Sequence, residues 1–284
     1  MIECGREECR PDEETAMDGQ VKVMKAVFAG TTRWPALLPA VLLVALLAAC
    51  ATVAETGRQQ LILVPAEQLR LAADETFSSL RRQLPEVREG PQAEMVARVG
   101  ARLKAVVPSP PEGGSYHFVL FAKDEANAFA LPNGDIGIFT GLFSMVKTDD
   151  ELAAVLGHEI AHVTAHHAAE QVSQRLLASL GLAVVASASR DEDVTRAVAA
   201  LAGIGVLLPF SRLQESEADR IGQLYMARAC YDPAAAIVVW KRFAAQGKSR
   251  APRFLSTHPD PGRRAERLAR WLPEAEAERA RLCR

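Results

Sequence analysis

The feature that most constrains this chain is an H-E-x-x-H motif at positions 158–162. On an α-helix, residues four apart share a face, so the imidazoles of His158 and His162 can reach one metal ion. Glu159 then flanks the open coordination position, where a carboxylate can serve as a general base. Four of the six histidines fall between His158 and His167. We therefore predict a helix over the motif and a zinc site that begins with its two histidines.

A chance match on an amphipathic helix is the alternative interpretation of the motif. The small residues Gly157 and Ala161 would let another element approach closely, which favours a metal site. The chain has five cysteines but no C-x-x-C pair, so a thiolate zinc site is not expected. Metal ligands must therefore come from histidines and carboxylates.

A catalytic zinc site needs a third protein ligand, and no further histidine follows the motif at a suitable spacing. Glu215 and Asp219 are four residues apart on a later predicted helix and share a face. One of them can bind zinc while the other orients a ligand histidine by accepting its second ring N–H. Glu217 lies between them, and we expect it to point elsewhere and to be solvated.

The charge balance excludes one broad class of function. The chain has 33 Lys and Arg against 35 Asp and Glu, a net charge of −2. Binding to nucleic acid requires a clear basic excess, so no nucleic-acid partner is expected. Hydrophobic residues make up 49% and charged residues 24%, as in soluble domains. This composition also excludes a polytopic membrane protein.

The N-terminal region has the pattern of an export signal. Residues 34–54 carry no charge and follow several basic residues. The residues before Cys50 resemble a bacterial lipobox, in which the cysteine is lipidated and begins the mature protein. We predict a lipoprotein signal peptide at 24–49 with Cys50 as the lipidated residue. An uncleaved transmembrane anchor is the alternative, since the apolar run is long enough to span a bilayer.

Residues 1–23 contain seven acids, which is unusual for the start of a signal peptide. We predict that translation begins at Met24 or Met17 and that the upstream residues are a mis-annotated extension. By the sorting rule for such lipoproteins, Ala51 implies an outer-membrane protein that faces the periplasm. In that oxidising compartment Cys230 and Cys283 could form a disulfide, although their spacing fits two unrelated cysteines equally well.

Apolar periodicity predicts an α+β chain that is mostly helical, with a small sheet before the motif helix. Residues 50–64 are predicted as a tether and 65–284 as one domain. Strands are predicted at 116–121, 127–131 and 136–140. Helices are predicted at 66–84, 92–106, 149 to about 174, 176–189, 193–208, 212–229, 233–246 and 261–281.

The motif His158-Glu159-x-x-His162 together with Glu215-x-x-x-Asp219 resembles the CAAX-prenyl-protease-like zinc metallopeptidases. Within that family, the chain is most similar to the soluble bacterial branch of periplasmic lipoprotein proteases. The resemblance covers about residues 65–275. It implies a gluzincin-type zincin fold for 65–284 and one zinc ion per chain. Further matches follow in the order of the family: Asn127–Gly134, Thr140–Leu142, Ser211-Arg212, Tyr231–Pro233, Ser256–Pro259 and Arg264.

The resemblance also implies a role for each matching residue at the metal. His158, His162 and Glu215 would bind zinc. Glu159 would be the general base and then the proton donor to the leaving amine. Asp219 would orient a ligand histidine by accepting a hydrogen bond from its second ring nitrogen.

Three further assignments come from the same resemblance. His258 would either stabilise the oxyanion or plug the open metal position, unless it is simply a histidine in a helix-capping turn next to Pro259. Asn127, Ala128 and Phe129 would form the strand edge to which an extended substrate adds. The neighbouring histidines 166 and 167 are expected to be structural or exposed rather than ligands.

The implied activity is that of a zinc-dependent endopeptidase acting on unfolded or misassembled envelope proteins. The alternative is a chaperone-like assembly factor for outer-membrane proteins that cleaves little. The expected partners are such substrates, the membrane through lipidated Cys50, and the outer-membrane assembly machinery. The intact Glu159 favours the enzyme, because binding alone would not require this base.

Overall fold

The computed structural model describes residues 50–188, 210–246, 253–258 and 261–283. The predicted extension, signal peptide and helix at 193–208 lie outside these residues. None of the helices within the described ranges is both long and apolar enough to cross a lipid bilayer.

The described elements give an α+β fold that is mostly helical, as predicted. The strands are β1 (Cys50–Thr52), β2 (Gln59–Leu61), β3 (His117–Phe121), β4 (Ala128–Ala130) and β5 (Asp135–Phe139), and a short 3₁₀ helix covers Thr140–Ser144. The helices are α1 (Ala66–Gln83), α2 (Pro91–Lys104), α3 (Asp149–Thr164), α4 (His167–Ala188), α5 (Arg212–Arg228), α6 (Ala235–Ala245), α7 (Phe254–Thr257) and α8 (Pro261–Leu282).

The three strands that were predicted before the motif helix form one sheet in the order β3-β5-β4. Strand β5 pairs parallel with β3 and antiparallel with β4. The turn from β4 to β5 uses Gly134 at a φ of +91°, and the Asn133 side chain accepts a hydrogen bond from the amide of Asp135. The strand order places β4 at an edge of this sheet.

Helix α3 lies at the centre of the molecule. Its N-terminus is capped by Thr148, whose hydroxyl accepts a hydrogen bond from the amide of Glu151. All of its residues from Glu151 to Val163 are buried, and the helix packs against α2, α5, α6 and β4. A helix that is covered on every side holds its side chains rigidly, which suits a metal-binding motif.

Residues 50–64 differ from the predicted tether, because β1 and β2 form an antiparallel hairpin in this segment. Val53 in its turn is 1% exposed and belongs to the main hydrophobic core. Glu55 forms an ion pair with Arg228 of α5 at 2.8 Å. The prediction was wrong because these strands are three residues long and polar, which leaves too little alternation to detect.

The long helix predicted from 149 to about 174 is in fact two helices. The residues between α3 and α4 include His166, whose φ of +54° is left-handed and ends α3. The amide of His166 bonds to the carbonyl of Val163. Helix-like apolar periodicity continues across this break, so the sequence pattern did not reveal it.

Cys230 and Cys283 form a disulfide with a Cα–Cα distance of 5.6 Å. It joins the residues that follow α5 to the end of α8. This settles the alternative that the spacing left open.

Candidate metal centre

Two helices cross at the H-E-x-x-H motif and bring the candidate ligands together. Gly157 of α3 faces Gly222 of α5, and a Cβ on Gly157 would lie 2.9 Å from the Gly222 carbonyl oxygen. A Cβ on Gly222 would lie 2.8 Å from the amide of His158. Neither position has room for a side chain. The close approach expected from the small residue Gly157 is therefore present. It places Glu215 of α5 opposite the two histidines of the motif.

Four buried side chains converge on one point: His158, His162, Glu215 and His258. One donor atom from each lies within 4.8 Å of all the others. The Nε2 atoms of His158 and His162 are 3.0 Å apart, and Glu215 Oε1 lies 3.3 Å from His162 Nε2. Three imidazoles and one carboxylate are a donor set that zinc prefers, so the residues present fit one zinc ion.

The protonation of His158, His162 and Glu215 also fits a metal. Burial lowers the pKa of His162 to about 3 and that of His158 well below its usual value, so both rings are neutral. Burial acts to raise the pKa of Glu215, but the nearby His258 and Arg264 outweigh it and hold the pKa well below its ordinary value. Neutral imidazoles and an ionised carboxylate are the forms that bind metal ions.

Asp219 lies behind His158, where the family resemblance implies a carboxylate that orients a ligand. Its Oδ1 is 3.2 Å from His158 Nδ1, so a proton on that nitrogen is shared with Asp219 and leaves Nε2 available to a metal. Arg264 binds the same carboxylate through Nη2 at 2.6 Å and reaches Glu215 through Nη1 at 2.7 Å. Its guanidinium lies 3.2 Å from the centre of the Trp240 ring. A fully buried arginine thus holds two buried carboxylates in place.

His167 and Glu217 lie behind His162, which the sequence did not predict. His167 Nδ1 is 2.8 Å from His162 Nδ1, and His167 Nε2 is 3.0 Å from Glu217 Oε2. The expectation that Glu217 is solvated was wrong, because this residue is only 7% exposed. His167 is structural, as expected, but it is buried in contact with a candidate ligand. His166 is partly exposed and pairs with Glu112 at 3.0 Å.

Glu159 is buried next to the cluster. Burial raises its pKa to about 7, although His258 and a hydrogen bond from the backbone amide of Ala130 act to lower it. Its Oε1 lies 3.4 Å from His258 Nε2 and has no hydrogen-bond partner among the described residues. A buried carboxyl group with a free oxygen and a pKa near neutrality can both accept and donate a proton.

His258 contacts the candidate ligands directly. Its Nδ1 lies 3.2 Å from His158 Nε2 and 2.9 Å from Glu215 Oε1, and its ring stacks on Phe254 with centroids 4.3 Å apart. Burial lowers its pKa, but the carboxylates of Glu215 and Glu159 outweigh this effect and raise the pKa above its ordinary value. The position agrees with either role at the metal, oxyanion stabiliser or plug, better than with a mere helix-capping turn.

The edge of β4 runs next to Glu159. Asn127 and Leu131 form backbone hydrogen bonds with β5, so the alternate residues Ala128 and Ala130 direct their backbone groups away from the sheet. Asn127, Ala128 and Phe129 line a cavity of about 360 Å³ that also touches α1 and residues 253–257. The predicted substrate strand is therefore the edge strand closest to the candidate base.

Comparison with known proteins identifies the family. The model of Peptidase family M48 matches residues 91–272, which is well over half of the chain. The chain belongs to peptidase family M48. M48 proteases use zinc, in agreement with the four-residue donor set. The family resemblance and the fold class predicted from the sequence are thus confirmed.

Several M48 metallopeptidases are similar to this chain. Mitochondrial metalloendopeptidase OMA1 of Schizosaccharomyces pombe is 42% identical over 156 residues, covering 54% of this chain and 45% of that protein. Metalloendopeptidase OMA1 of Bos taurus is 35% identical over 241 residues, covering 78% and 45%. The beta-barrel assembly-enhancing protease of Escherichia coli K12 is 33% identical over 156 residues, covering 51% and 32%. The chain thus spans less than half the length of each relative.

Proposed function

We propose that this chain is a zinc-dependent endopeptidase that hydrolyses peptide bonds of unfolded or misassembled proteins in the cell envelope. The observation that carries the proposal is the buried cluster of His158, His162, Glu215 and His258 with Glu159 beside it. Similarity to proteases of the M48 family supports the reaction class. His158, His162 and Glu215 are assigned as the zinc ligands.

A zinc ion held by His158, His162 and Glu215 would supply Lewis acidity, which would polarise a carbonyl group and lower the pKa of water. Glu159 does the proton transfer: its carboxylate takes a proton from the attacking water and gives it to the leaving amine nitrogen, as the C–N bond breaks. Asp219 holds the ring of His158 through its Nδ1. The surrounding aromatic and aliphatic side chains exclude bulk water, which strengthens these electrostatic interactions.

The substrate binds as an extended strand along β4. The outward backbone groups of Ala128 and the carbonyl group of Ala130 are suited to pair with such a strand, which gives affinity with little dependence on side chains. The cavity beside Phe129 can accept one side chain of the substrate. Binding through the backbone suits unfolded proteins, which expose extended segments of varied sequence.

A second candidate function is supported by the position of His258. Because its Nδ1 lies among the ligand atoms, the histidine would hold the fourth zinc position and keep basal proteolysis low. A protein in that state can bind unfolded outer-membrane proteins and assist their assembly together with the assembly machinery. The two functions share one site and differ in whether His258 leaves it.

We further propose that Cys50 is lipidated and anchors the protein to the outer membrane, with the catalytic domain in the periplasm. Cys50 is exposed at the start of β1. The Cys50→Ala variant should move the protein from the membrane fraction to the soluble fraction. If the variant remains in the membrane fraction, the anchor is not a lipid on Cys50.

The proposed activity is tested by incubating the purified full chain with a denatured model protein, with and without a zinc chelator. Cleavage that the chelator abolishes and added zinc restores is the expected result. A zinc-loaded protein that binds the denatured substrate without cutting it would favour the assembly function instead.

A further inference from the structure

The N-terminal hairpin is connected to the metal centre by an unbroken line of hydrogen bonds. This hairpin consists of β1 and β2 at 50–61, and Arg58 directly precedes β2. The Nε of Arg58 donates a hydrogen bond to Glu217 Oε2 at 2.7 Å. Glu217 in turn accepts from His167, and His167 contacts His162. Thr56 of the same hairpin also donates a hydrogen bond to Glu217. These contacts lead from residues outside the M48 match at 91–272 to a candidate zinc ligand.

The positions of the protons along this line follow from its two ends. His162 must present Nε2 to a metal, so its proton is on Nδ1 and is donated to His167 Nδ1. His167 can accept there only if its own proton is on Nε2, from which it donates to Glu217 Oε2. Glu217 accepts from all its partners, through Oε2 from His167 and Arg58 and through Oε1 from Thr56. With protons on His162 Nδ1 and His167 Nε2, every contact from His162 to Glu217 joins one donor to one acceptor.

Arg58 is the cation that holds Glu217 in position. Its side chain is 18% exposed, and it also forms a forked pair with Glu170 at 2.7 and 2.9 Å. Glu170 accepts a further hydrogen bond from Gln214 at 2.7 Å. Without the guanidinium, the carboxylates of Glu170 and Glu217 would be buried with no cation between them, which is unfavourable.

We infer that the docked hairpin at 50–61 is a positioning element of the zinc centre: Arg58 acts through Glu217 and His167 to fix the ring and the tautomer of His162. The inference rests on the zinc centre proposed above, with His162 as a ligand. Asp219 holds His158 directly, whereas His162 is held through one additional imidazole and, beyond it, by a segment that is separate in sequence. Loss of the contact between Arg58 and Glu217 would therefore weaken zinc binding.

The test measures zinc dissociation constants of the full chain by competition with a fluorescent chelator. Loss of a group behind a metal ligand weakens affinity by about 10- to 100-fold, so Glu217→Gln and His167→Phe should each fall in this range. Arg58→Gln acts one residue further out, and we expect a smaller loss of at least about threefold. Unchanged affinity in all three variants, with zinc bound normally by the wild type, would overturn the inference and leave the proposed function intact.

A matched control separates this line of contacts from general loosening of the hairpin. Arg228 anchors the same hairpin through Glu55 but does not touch Glu217 or His167. Arg228→Gln should therefore leave zinc affinity unchanged, while the melting temperature of the metal-free protein reports any loss of stability in both arginine variants. Equal weakening of zinc binding by both variants would show that docking alone matters and would overturn the role of Arg58.

Two more readouts address the mechanism itself. In the His167→Phe background, Glu217→Gln should cause no further loss of zinc affinity, because Glu217 acts through His167. Additive losses would contradict this. The visible spectrum of the cobalt-substituted protein should change in Glu217→Gln but not in Arg228→Gln, since it reports the geometry at the metal. If His167→Phe does not fold, His167→Gln replaces it in the cycle.

Discussion

His258 Nδ1 lies 2.9 Å from Glu215 Oε1, so the late histidine touches a candidate zinc ligand rather than only facing the site. A histidine in this place competes with water and substrate for the fourth coordination position. We expect His258→Ala to raise the rate of cleavage of a denatured protein severalfold while zinc content stays at one per chain. A fall in the rate at full zinc content would show that His258 stabilises the transition state and is not a plug.

The contact between Gly157 and Gly222 predicts a steric effect on the metal. A methyl group in Gly222→Ala would lie 2.8 Å from the amide of His158 and push α5 away from α3. We expect a loss of about 1–3 kcal/mol in unfolding free energy together with weaker zinc binding. Gly100→Ala is the control, since its Cβ would meet the Phe118 ring at 2.6 Å far from the cluster. If that control weakens zinc binding as much, the helix crossing has no special role.

Arg264 should matter most when the metal is absent. It is 0% exposed and offsets the charges of Glu215 and Asp219. Removing one partner of such a buried network costs about 3–5 kcal/mol, so Arg264→Gln should lower the unfolding free energy of the metal-free protein by this amount in urea titrations. Zinc supplies positive charge at the same place and should reduce the loss.

The control for Arg264 is Arg220→Gln on α5. Its ion pair with Glu274 at 2.9 Å is largely exposed to solvent. Exposed pairs contribute less than about 1 kcal/mol, so this variant should be nearly neutral. Equal effects of the two arginine variants would contradict the role assigned to Arg264.

The disulfide predicts a redox-dependent stability. It closes a loop with a sequence separation of 53 residues, for which about 2–4 kcal/mol of stabilisation is typical. Cys283→Ser should therefore lower the unfolding free energy by about this amount under oxidising conditions. Chemical reduction of the wild type should cause the same loss, whereas reduction should cause no further loss in Cys283→Ser. A Cys283→Ser protein as stable as the wild type would refute the contribution of the bond.

Much of the metal centre could be predicted because its spacing is set within single helices. His158 and His162 share a face of α3, and Glu215 and Asp219 share a face of α5. The contact between Gly157 and Gly222 brings the two faces together. The sequence indicates this contact only through the small residue just before the motif. The role of Arg264 at the site followed from no spacing rule, since it comes from a different helix.

The contacts behind His162 could not be predicted for a geometric reason. On a continuous helix, His167 would lie about 140° around the axis from His162 and could not touch it. The left-handed turn at His166 ends α3 and brings His167 back beside the candidate ligand. Glu217 is two residues from Glu215 and does face elsewhere, as expected, but what it faces is His167 and Arg58 rather than solvent.

A paired measurement on Glu159→Gln tests whether this residue is the base of a zinc-dependent peptidase. Zinc content and cleavage of a denatured protein would be measured on the same preparation, next to the wild type. We predict one zinc per chain in both proteins and a loss of at least about 100-fold in cleavage rate for the variant, because its amide cannot accept the proton of water. Cleavage by Glu159→Gln at the wild-type rate with zinc in place would contradict the account.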